Sequence, residues 1–457
     1  MFKGGSAGIN PCATMRAAVA HAAQGFSPAE AKGCLEKINH KNTKVRKNEN
    51  YFIPFRVFVL SCFRDKRPLP LLRIKFRHGR VGIDNGMLNW EKGTWENGHT
   101  AETKAEVLIA SDWAPIRTYS DIILKDPEAV YGNLLPVMRE SDLRIANLES
   151  PLCENETPIW KSGTVLKGDV RHVNGLATVP FEVVTLGNNH VFDHGVDAFE
   201  QTLALLKENG IQHVGAGMTS TAAKNPLFMD VNGLRIALIS FSEGEDLTAT
   251  TGGPGVFGWE VDEVITRVNE IKSTTDIIIV ISHCGVEYIP FPPPYVARAF
   301  QRIADAGAHL VIGHHPHVPQ GVKIYNNSPI CYSLGNFVFY QPVDLFYRKR
   351  GFMVKAGLAK GGVTYLKLIP YNIQDQGLHL LEGEDREKLY QKLEAVSLPL
   401  ENFDGIEKAW HGFLHYYGVE MGPCRADEDL CGGADPGLIG VGNTKKNRVV
   451  AVRTVAP

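Results

Sequence analysis

Histidines and carboxylates cluster in one part of the sequence, in a combination that binds divalent metals. Five of the 16 histidines fall between positions 283 and 317, where an even spread would place about one. Neutral imidazole together with carboxylate oxygen suits ions such as Zn²⁺, Mn²⁺ and Fe²⁺. In His315-Pro-His317 the rings are two residues apart, so an extended backbone would point both to one side. Such a pair can bind one ion or two adjacent ions.

Polar groups of this kind follow apolar, strand-like runs at six places along the chain. The groups are Ser111-Asp112, Asn147-Leu-Glu149, Gly187-Asn188-Asn189-His190 with Asp193, His283-Cys-Gly-Val-Glu287-Tyr288, Gly313-His314-His315-Pro-His317, and Ser333-Leu-Gly335-Asn336. Open α/β sheets bind their ligands at the carboxyl ends of the strands. We therefore expect the six groups to meet at one edge of the fold.

The elements that must position these groups alternate between strand-like and helical patterns. Strands are predicted over 106–111, 143–148, 181–186, 211–214, 234–241, 276–282 and 309–312, and helices over 127–140, 196–209 and 295–306. Gly210 and Gly307 are suitable residues to end the last two helices. Beyond 336 the pattern predicts a β-hairpin over 352–371 that turns at 360–362, then helices over 382–396 and 405–417. The alternation indicates an α/β protein.

The composition is that of an ordinary folded protein. Hydrophobic residues make up 44% and charged residues 21% of the 457 positions, which excludes disorder as the main state. The formal net charge of −2 lacks the basic excess of nucleic-acid-binding proteins, so we expect no nucleic-acid partner. No apolar run reaches the roughly 20 residues that span a membrane, and no signal-peptide pattern is present. These features predict a soluble cytoplasmic protein without a membrane segment.

Taken in order, the six motifs resemble those of the CapA-type capsule or poly-γ-glutamate synthesis proteins, which are similar to the calcineurin-like metallophosphoesterases. The matching stretch runs over about 106–341. The resemblance implies an α/β fold, a four-layer αββα sandwich, with a mixed α+β C-terminal extension. The domain organisation expected from it is an N-terminal region of unassigned role and order (1–103), a CapA-like domain (104–345), and an extension with a loop-rich tail (346–457).

The resemblance also implies roles for individual residues. The metal ligands would be Asp112, Glu149, Asn189, His283, His315 and His317. The catalytic residues would be His190, which acts on the leaving group or the transition state, with Asp112, Glu149 and His283. The remaining polar residues of the motifs are expected to bind substrate: Asn188, Asp193, Glu287, Tyr288 and Asn336. The chain departs from the Asp-x-His of the phosphoesterase pattern, because Ala114 replaces the histidine, and Glu149 stands where the pattern has an aspartate. The implied cofactor is therefore one or two ions of Mn, Fe or Zn, or none.

Three functions remain open at this point. The first is a metal-assisted hydrolase or transferase that acts on an amide, phosphate or poly-γ-glutamate-type linkage, with His190 as general acid. The second is a metal-independent peptide epimerase of a CapA-like branch, which uses the Asp, Glu and His side chains as acid–base pairs. The third is a non-catalytic accessory role in polymer synthesis. The expected partner is a small molecule, a peptide or an anionic polymer, and the sequence gives no strong indication of the oligomeric state.

Overall fold

The described part of the chain consists of two β-sheets with helices on their outer faces. The computed structural model describes residues 87–98, 102–161, 163–243, 249 and 252–416, all within the unit Arg56–Pro457. Most of the N-terminal region 1–103 and the tail after 416 lie outside the described residues. In the ranges that are described, no helix combines the length and apolarity that a membrane span requires.

The strands build one sheet of eight strands, one of six, and a two-stranded ladder of β6 with β9. In chain order they are β1 (Thr94–Glu96), β2 (Ala105–Trp113), β3 (Leu143–Leu148), β4 (Val183–Thr185), β5 (Gln212–Val214), β6 (Ala216–Gly217), β7 (Leu227–Val231), β8 (Leu234–Ser242), β9 (Gly255–Val256), β10 (Ile277–His283), β11 (Leu310–His314), β12 (Val322–Tyr325), β13 (Ser328–Cys331), β14 (Arg350–Ala359), β15 (Gly362–Gln374) and β16 (Gly377–Leu380). The first sheet has the order β1-β15-β14-β2-β3-β4-β5, with β16 beside β15, and the second has the order β12-β13-β11-β10-β8-β7. Strands β2 to β5 are parallel, and so are β8, β10, β11 and β13.

Most of the helices lie on the two outer faces. They are α1 (Thr118–Lys125), α2 (Leu135–Arg139), α3 (Val173–Thr178), α4 (Gly195–Glu208), α5 (Ser220–Lys224), α6 (Val261–Ile271), α7 (Pro294–Ala306), α8 (Gly383–Ser397) and α9 (Phe403–Tyr416). Buried side chains of α1 to α4 share one core cluster with the first sheet, and those of α6, α7 and α9 share another with the second sheet. This arrangement gives the outer helical layers. Helix α8 instead packs Leu389, Tyr390 and Leu393 into the central core between the sheets.

Alternation along the strands shows that both faces of each sheet are covered. In β2, Val107 and Ile109 belong to the core between the sheets, whereas Leu108 and Ala110 pack under the helices. In β10, Ile277, Ile279 and Ile281 face the same central core, and the residues between them face the outer helices. A strand buried on both faces reads as a continuous apolar run, as β10 does. The four-layer αββα sandwich predicted from the resemblance is confirmed.

Residues after 345 contribute to the first sheet. Strand β14 pairs antiparallel with β2, and β15 pairs with both β14 and β1. The predicted hairpin over 352–371 is confirmed as β14 and β15. The strands of this region therefore lie beside β2, which carries Asp112.

The helix predicted over 127–140 is wrong in its first half. The chain forms a 3-10 turn (Ala129–Leu134) and then the short helix α2, because Gly132 adopts a φ of 50°. A Cβ at this glycine would lie 2.3 Å from the carbonyl oxygen of Leu378 in β16. The close approach of β16 requires glycine and breaks the helical repeat that the apolar spacing suggested.

The packing of β11 against β13 predicts the effect of Gly313→Ala. The added Cβ would lie 2.0 Å from the carbonyl oxygen of Tyr332, so we expect a loss of about 1–3 kcal/mol in the free energy of unfolding. Gly412→Ala is the control, because its Cβ would meet no atom within 4 Å and alanine favours helix α9 by up to about 1 kcal/mol. Urea unfolding midpoints measure both. Equal midpoints for Gly313→Ala and the wild type would contradict the packing.

Candidate metal centre

The polar groups of the six motifs do meet at one edge of the sandwich. Strands β2, β3 and β4 of the first sheet end near Asp112, Glu149 and Asn189, and β10 and β11 of the second sheet end at His283 and His314. An isolated parallel bridge joins Asp112 to Asn336, which follows β13. Both sheets thus contribute their carboxyl-terminal edges to one polar centre.

The Nε2 atom of His283 and three neighbouring atoms form one set of potential metal ligands. This Nε2 atom lies 2.9 Å from Asn189 Oδ1, 3.3 Å from Glu149 Oε1 and 3.1 Å from His315 Nδ1. One ring nitrogen cannot hydrogen-bond well to all three at once. Atoms bound to one ion at 2.0–2.2 Å lie about 3 Å apart, which is the spacing found here. We call this set the His283 group.

A second set surrounds His317, which lies between two carboxylates. Its Nδ1 atom is 3.6 Å from Asp112 Oδ2, and its Nε2 atom is 3.7 Å from Glu149 Oε1. Burial alone would lower the pKa of His317, but the negative charges of Glu149, Glu287 and Asp112 outweigh it and raise that pKa. Glu149 therefore faces both sets and connects them.

Three buried carboxylate oxygens at this centre have no hydrogen-bond partner within the described residues. They are Oδ2 of Asp112 and both oxygens of Glu149. Burial, together with the charge of Glu149, raises the pKa of Asp112 to about 6, and burial also raises the pKa of Glu149. Such oxygens require a cation or a proton, because an uncompensated buried charge is costly. The donor set of carboxylates, imidazoles and an amide oxygen fits a divalent transition metal.

The sequence pattern suggested an extended backbone at the two closing histidines. The structure has a turn there instead. His315 and His317 have φ values of 93° and 55°, in the left-handed region that is unfavourable for residues with a side chain. The turn is held by the amide of Tyr288, which donates to the carbonyl oxygen of Pro316 at 2.7 Å. Strained backbone of this kind persists where the surrounding structure fixes it, and it is typical of functional sites.

His190 is oriented by a carboxylate and a lysine. Its Nδ1 atom lies 2.6 Å from Asp193 Oδ2, and its Nε2 atom faces Glu149 Oε1 at 3.9 Å. Lys161 donates to the other oxygen of Asp193 at 2.7 Å and to the carbonyl oxygen of Asn189 at 2.5 Å. Burial would raise the pKa of Asp193, but His190 and Lys161 outweigh it and hold that pKa below its usual range. His190 therefore points Nε2 into the centre with a charged partner behind it.

Three residues expected to bind substrate form hydrogen bonds within the fold. Asn188 is fully buried and donates to Asn147 Oδ1 and the carbonyl of Leu148, while its own oxygen accepts from two backbone amides. Asp193 holds His190, as described above. Asn336 places its Oδ1 atom 2.9 Å from His317 Nδ1 and donates to the carbonyl of the same residue. These side chains position the centre through hydrogen bonds within the fold, and their assignment to substrate stays a prediction.

The other two expected substrate residues, Glu287 and Tyr288, lie half-buried at the rim of the centre. The ring of Tyr288 is 6.0 Å from the ring of His317. Their partial exposure allows contact with a ligand. Their assignment to substrate stays a prediction.

The position where the phosphoesterase pattern has a histidine is apolar here. Ala114 packs with Ile116, Leu166 and Phe339 and provides no ligand. His314, at the end of β11 in the second sheet, places its Nδ1 atom 3.7 Å from Asp112 Oδ1. Burial lowers the pKa of His314 to about 4. The Asp112 side of the centre therefore has one protein ligand fewer than the pattern requires.

Sequence reasoning missed two residues that shape the site. Lys161 lies in a loop without periodicity, and nothing in its neighbourhood marks it. Asn147 belongs to the motif Asn147-Leu-Glu149 but was given no role. Its amide nitrogen donates to Asp112 Oδ1 at 2.8 Å and also lies 3.1 Å from His283 Nδ1. Its position at the carboxyl end of β3, between two assigned residues, was the available signal.

The comparisons with known proteins agree with the motifs. The family model described as "Bacterial capsule synthesis protein PGA_cap" matches residues 96–341. A capsule biosynthesis protein CapA of Bacillus anthracis is 29% identical over 306 residues, which covers 65% of this chain and 74% of the relative. A PGA biosynthesis protein CapA of Bacillus subtilis (strain 168) is 31% identical over 300 residues, covering 59% and 78%. A probable polyglutamine synthesis accessory protein of Mycobacterium tuberculosis is 26% identical over 295 residues, covering 58% and 76%.

The buried pair of Lys161 and Asp193 predicts the effect of Lys161→Met. The two side chains are 7% and 0% exposed, and loss of one partner from a buried pair destabilises a protein by about 3–5 kcal/mol. Because the pKa of Asp193 is lowered in the fold, this contribution is present above the unfolded pKa and is lost as the pH falls through the folded pKa. The difference from the wild type in urea unfolding should therefore be large at pH 7 and shrink below about pH 4.

The control for this prediction is Lys360→Met. Lys360 lies 3.5 Å from Asp276 but is 85% exposed, so its removal should change stability by about 0–1 kcal/mol. If the two variants were equally stable at pH 7, the pair at the centre would not be held in the way the structure describes.

Proposed function

The chain belongs to the bacterial capsule synthesis protein family PGA_cap, and from this premise we propose that it is a metal-assisted hydrolase or transferase that acts on amide linkages of a poly-γ-glutamate-type polymer. The observation that supports the proposal most strongly is the set of three unpaired carboxylate oxygens on Asp112 and Glu149, buried among histidines. A structural role alone does not require two buried carboxylates with three oxygens that accept no hydrogen bond. A cation-binding role does.

The residues divide between two positions for an ion. The His283 group (Glu149, Asn189, His283 and His315) would hold one ion. Asp112 and Glu149, with one neighbouring imidazole nitrogen, would hold a second. This position has fewer protein ligands because Ala114 contributes none. A divalent ion bound there would polarise the reacting carbonyl and lower the pKa of a water ligand towards about 7.

His190 is suited to move a proton at the reacting bond. Its Nδ1 atom is engaged by Asp193, so Nε2, on the side of Glu149, is the atom that accepts a proton and passes it to the reacting bond. Cleavage or transfer at an amide needs a proton on the departing amine, and a positioned histidine supplies it. Asp193 and Lys161 fix the ring so that this proton is directed into the centre.

The substrate class is inferred from the relatives. The printed names of the two Bacillus proteins refer to capsule and PGA biosynthesis, and that of the mycobacterial protein refers to polyglutamine synthesis. A polymer of glutamate joined through amides contains a bond that the proposed centre could act on. The polymer also carries one free carboxylate per residue, so it is an anionic ligand.

A metal-independent epimerase is the second candidate. Burial and the nearby Glu149 raise the pKa of Asp112 to about 6, so its carboxyl group can both accept and donate a proton near neutral pH. With His190 as the other acid–base group, the centre could remove and return the proton on an α-carbon. Because Ala114 stands where the phosphoesterase pattern has a histidine ligand, one ion position is weaker. This favours the metal-independent candidate.

Metal content is the first test of the proposed function. We expect the purified full chain to contain Mn, Fe or Zn at one ion per chain or more, measured by inductively coupled plasma mass spectrometry. His315→Ala should lose metal, because it removes one atom of the His283 group, whereas His411→Ala, which removes an exposed histidine of α9, should not. A metal-free wild type that stays metal-free after incubation with all three ions would contradict the proposal.

Activity on a γ-linked glutamate oligomer is the second test. The wild type should shorten the oligomer or transfer its segments, and His190→Ala should lower kcat by about 10²–10⁴ because the proton donor is lost. Chain length is followed by mass spectrometry, with His411→Ala as the control. EDTA should abolish the reaction.

Solvent deuterium distinguishes the two candidates. Exchange of deuterium from heavy water into the α-carbon of a peptide, with full retention in EDTA and without cleavage, would establish the epimerase and refute the hydrolase. If neither cleavage nor exchange is observed with these substrates, both enzymatic candidates are contradicted and the non-catalytic accessory role remains.

A further inference from the structure

A stacked arginine lies next to the candidate metal centre. The guanidinium carbon of Arg348 is 3.5 Å from the centroid of the Tyr288 ring. The backbone of Tyr288 is fixed by its hydrogen bond to Pro316, and its ring is 6.0 Å from that of His317. One continuous chain of contacts therefore connects the centre to Arg348.

The charge of Arg348 is not neutralised by the fold. Among the described residues, its guanidinium makes no salt bridge within 4.0 Å and no hydrogen bond, although the charge of Glu287 acts on it from a greater distance. The side chain is half-buried, and burial lowers its pKa. Arg144 shows the contrast, because its guanidinium pairs with Glu182 and also donates to backbone carbonyls. A half-buried guanidinium with free donors is prepared to receive an oxyanion.

Further cations lie along the same rim. Lys349 places its ammonium 4.0 Å from the ring centroid of Tyr340, and Arg117 donates to the carbonyl oxygen of Tyr340 at 2.7 Å. The neighbouring Phe339 ring is 4.7 Å from that of His317. Arg117 holds a strained φ of 54°, so its position is imposed by the fold. The rim beside His317 thus carries Arg117, Arg348 and Lys349, together with the carboxylates of Glu287, Asp344 and Asp375.

We propose that Arg348, stacked on Tyr288, binds a free carboxylate of the substrate beside the candidate metal centre and so selects an anionic polymer. The planar guanidinium matches a carboxylate in a two-point contact while its face stays on the tyrosine ring. Phosphate is an oxyanion that the same fork could bind. Carboxylate is the assignment because a γ-linked glutamate chain presents one on every residue. The inference rests on the proposed function for the identity of the polymer.

Binding measurements on the full chain test this assignment. Isothermal titration compares a short γ-linked glutamate oligomer with the same oligomer whose free carboxylates are converted to amides. The wild type should bind the acidic oligomer more tightly, and Arg348→Gln should weaken that binding by about tenfold or more while leaving the amide form unchanged. Arg348→Lys should recover only part of the affinity, because lysine lacks the planar fork.

The matched control is Arg235→Gln. Arg235 also lies over an aromatic ring, that of Phe228 at 5.1 Å, but it stands at the start of β8, whereas the centre lies at the strand's other end. Its substitution removes the same charge and the same kind of contact, and it should leave the affinity for the acidic oligomer unchanged. Equal losses in Arg235→Gln and Arg348→Gln would overturn the inference, because they would indicate a general charge effect.

The outcomes separate this inference from the proposed function. If the oligomer is cleaved and Arg348→Gln leaves both KM and Kd unchanged, the inference fails and the function stands. If no cleavage occurs but Arg348→Gln loses binding of the acidic oligomer, the inference stands and the function fails. A wild type that binds neither oligomer, or an Arg348→Gln variant that loses affinity for inorganic phosphate alone, overturns the carboxylate assignment.

Discussion

The burial of two carboxylates where the two sheets meet is the constraint on which the rest of the site depends. Asp112 comes from the first sheet, and Glu149 follows the adjacent strand. The imidazoles of His283 and His317, which face them, come from the second sheet and the turn after it. Neither sheet alone contains the complete set. The apolar core between the sheets therefore does more than stabilise the fold, because its packing sets the distance between the carboxylates and the histidines.

The supporting side chains show how that distance is kept. Asn147 donates to Asp112, Asn336 contacts His317, and Lys161 holds Asp193 against His190. These contacts lie behind the groups that face the centre and leave three carboxylate oxygens of Asp112 and Glu149 without a hydrogen bond from the described residues. A buried polar network is costly unless its members are satisfied. The network here is satisfied on its outer side and open on its inner side, as a binding centre requires.

The family resemblance predicted the four layers. The sequence pattern predicted the α/β alternation and the meeting of the polar groups at one edge, because apolar runs and strand-end polar groups follow local rules. It could not predict features that depend on distant contacts. The break at Gly132 is caused by β16, more than 240 residues later, and the left-handed turn at His315 is held by the backbone of Tyr288. Lys161 was missed for the same reason, since only the folded chain brings it to Asp193. Asn188 was assigned to substrate because hydrogen-bond partners within the fold cannot be counted from sequence.

The charges around the centre explain why a cation and an anionic ligand belong together there. Asp112 and Glu149 are buried there, and three of their oxygens accept no hydrogen bond from the described residues, so the centre favours a cation. A divalent ion in that position would reverse the sign of the local field, and Arg348 at the rim would add to it. The centre would then attract a polymer that carries carboxylates, although the formal net charge of the whole chain is −2. Selection of an anionic substrate would in this way follow from the local arrangement of charge and not from the overall composition.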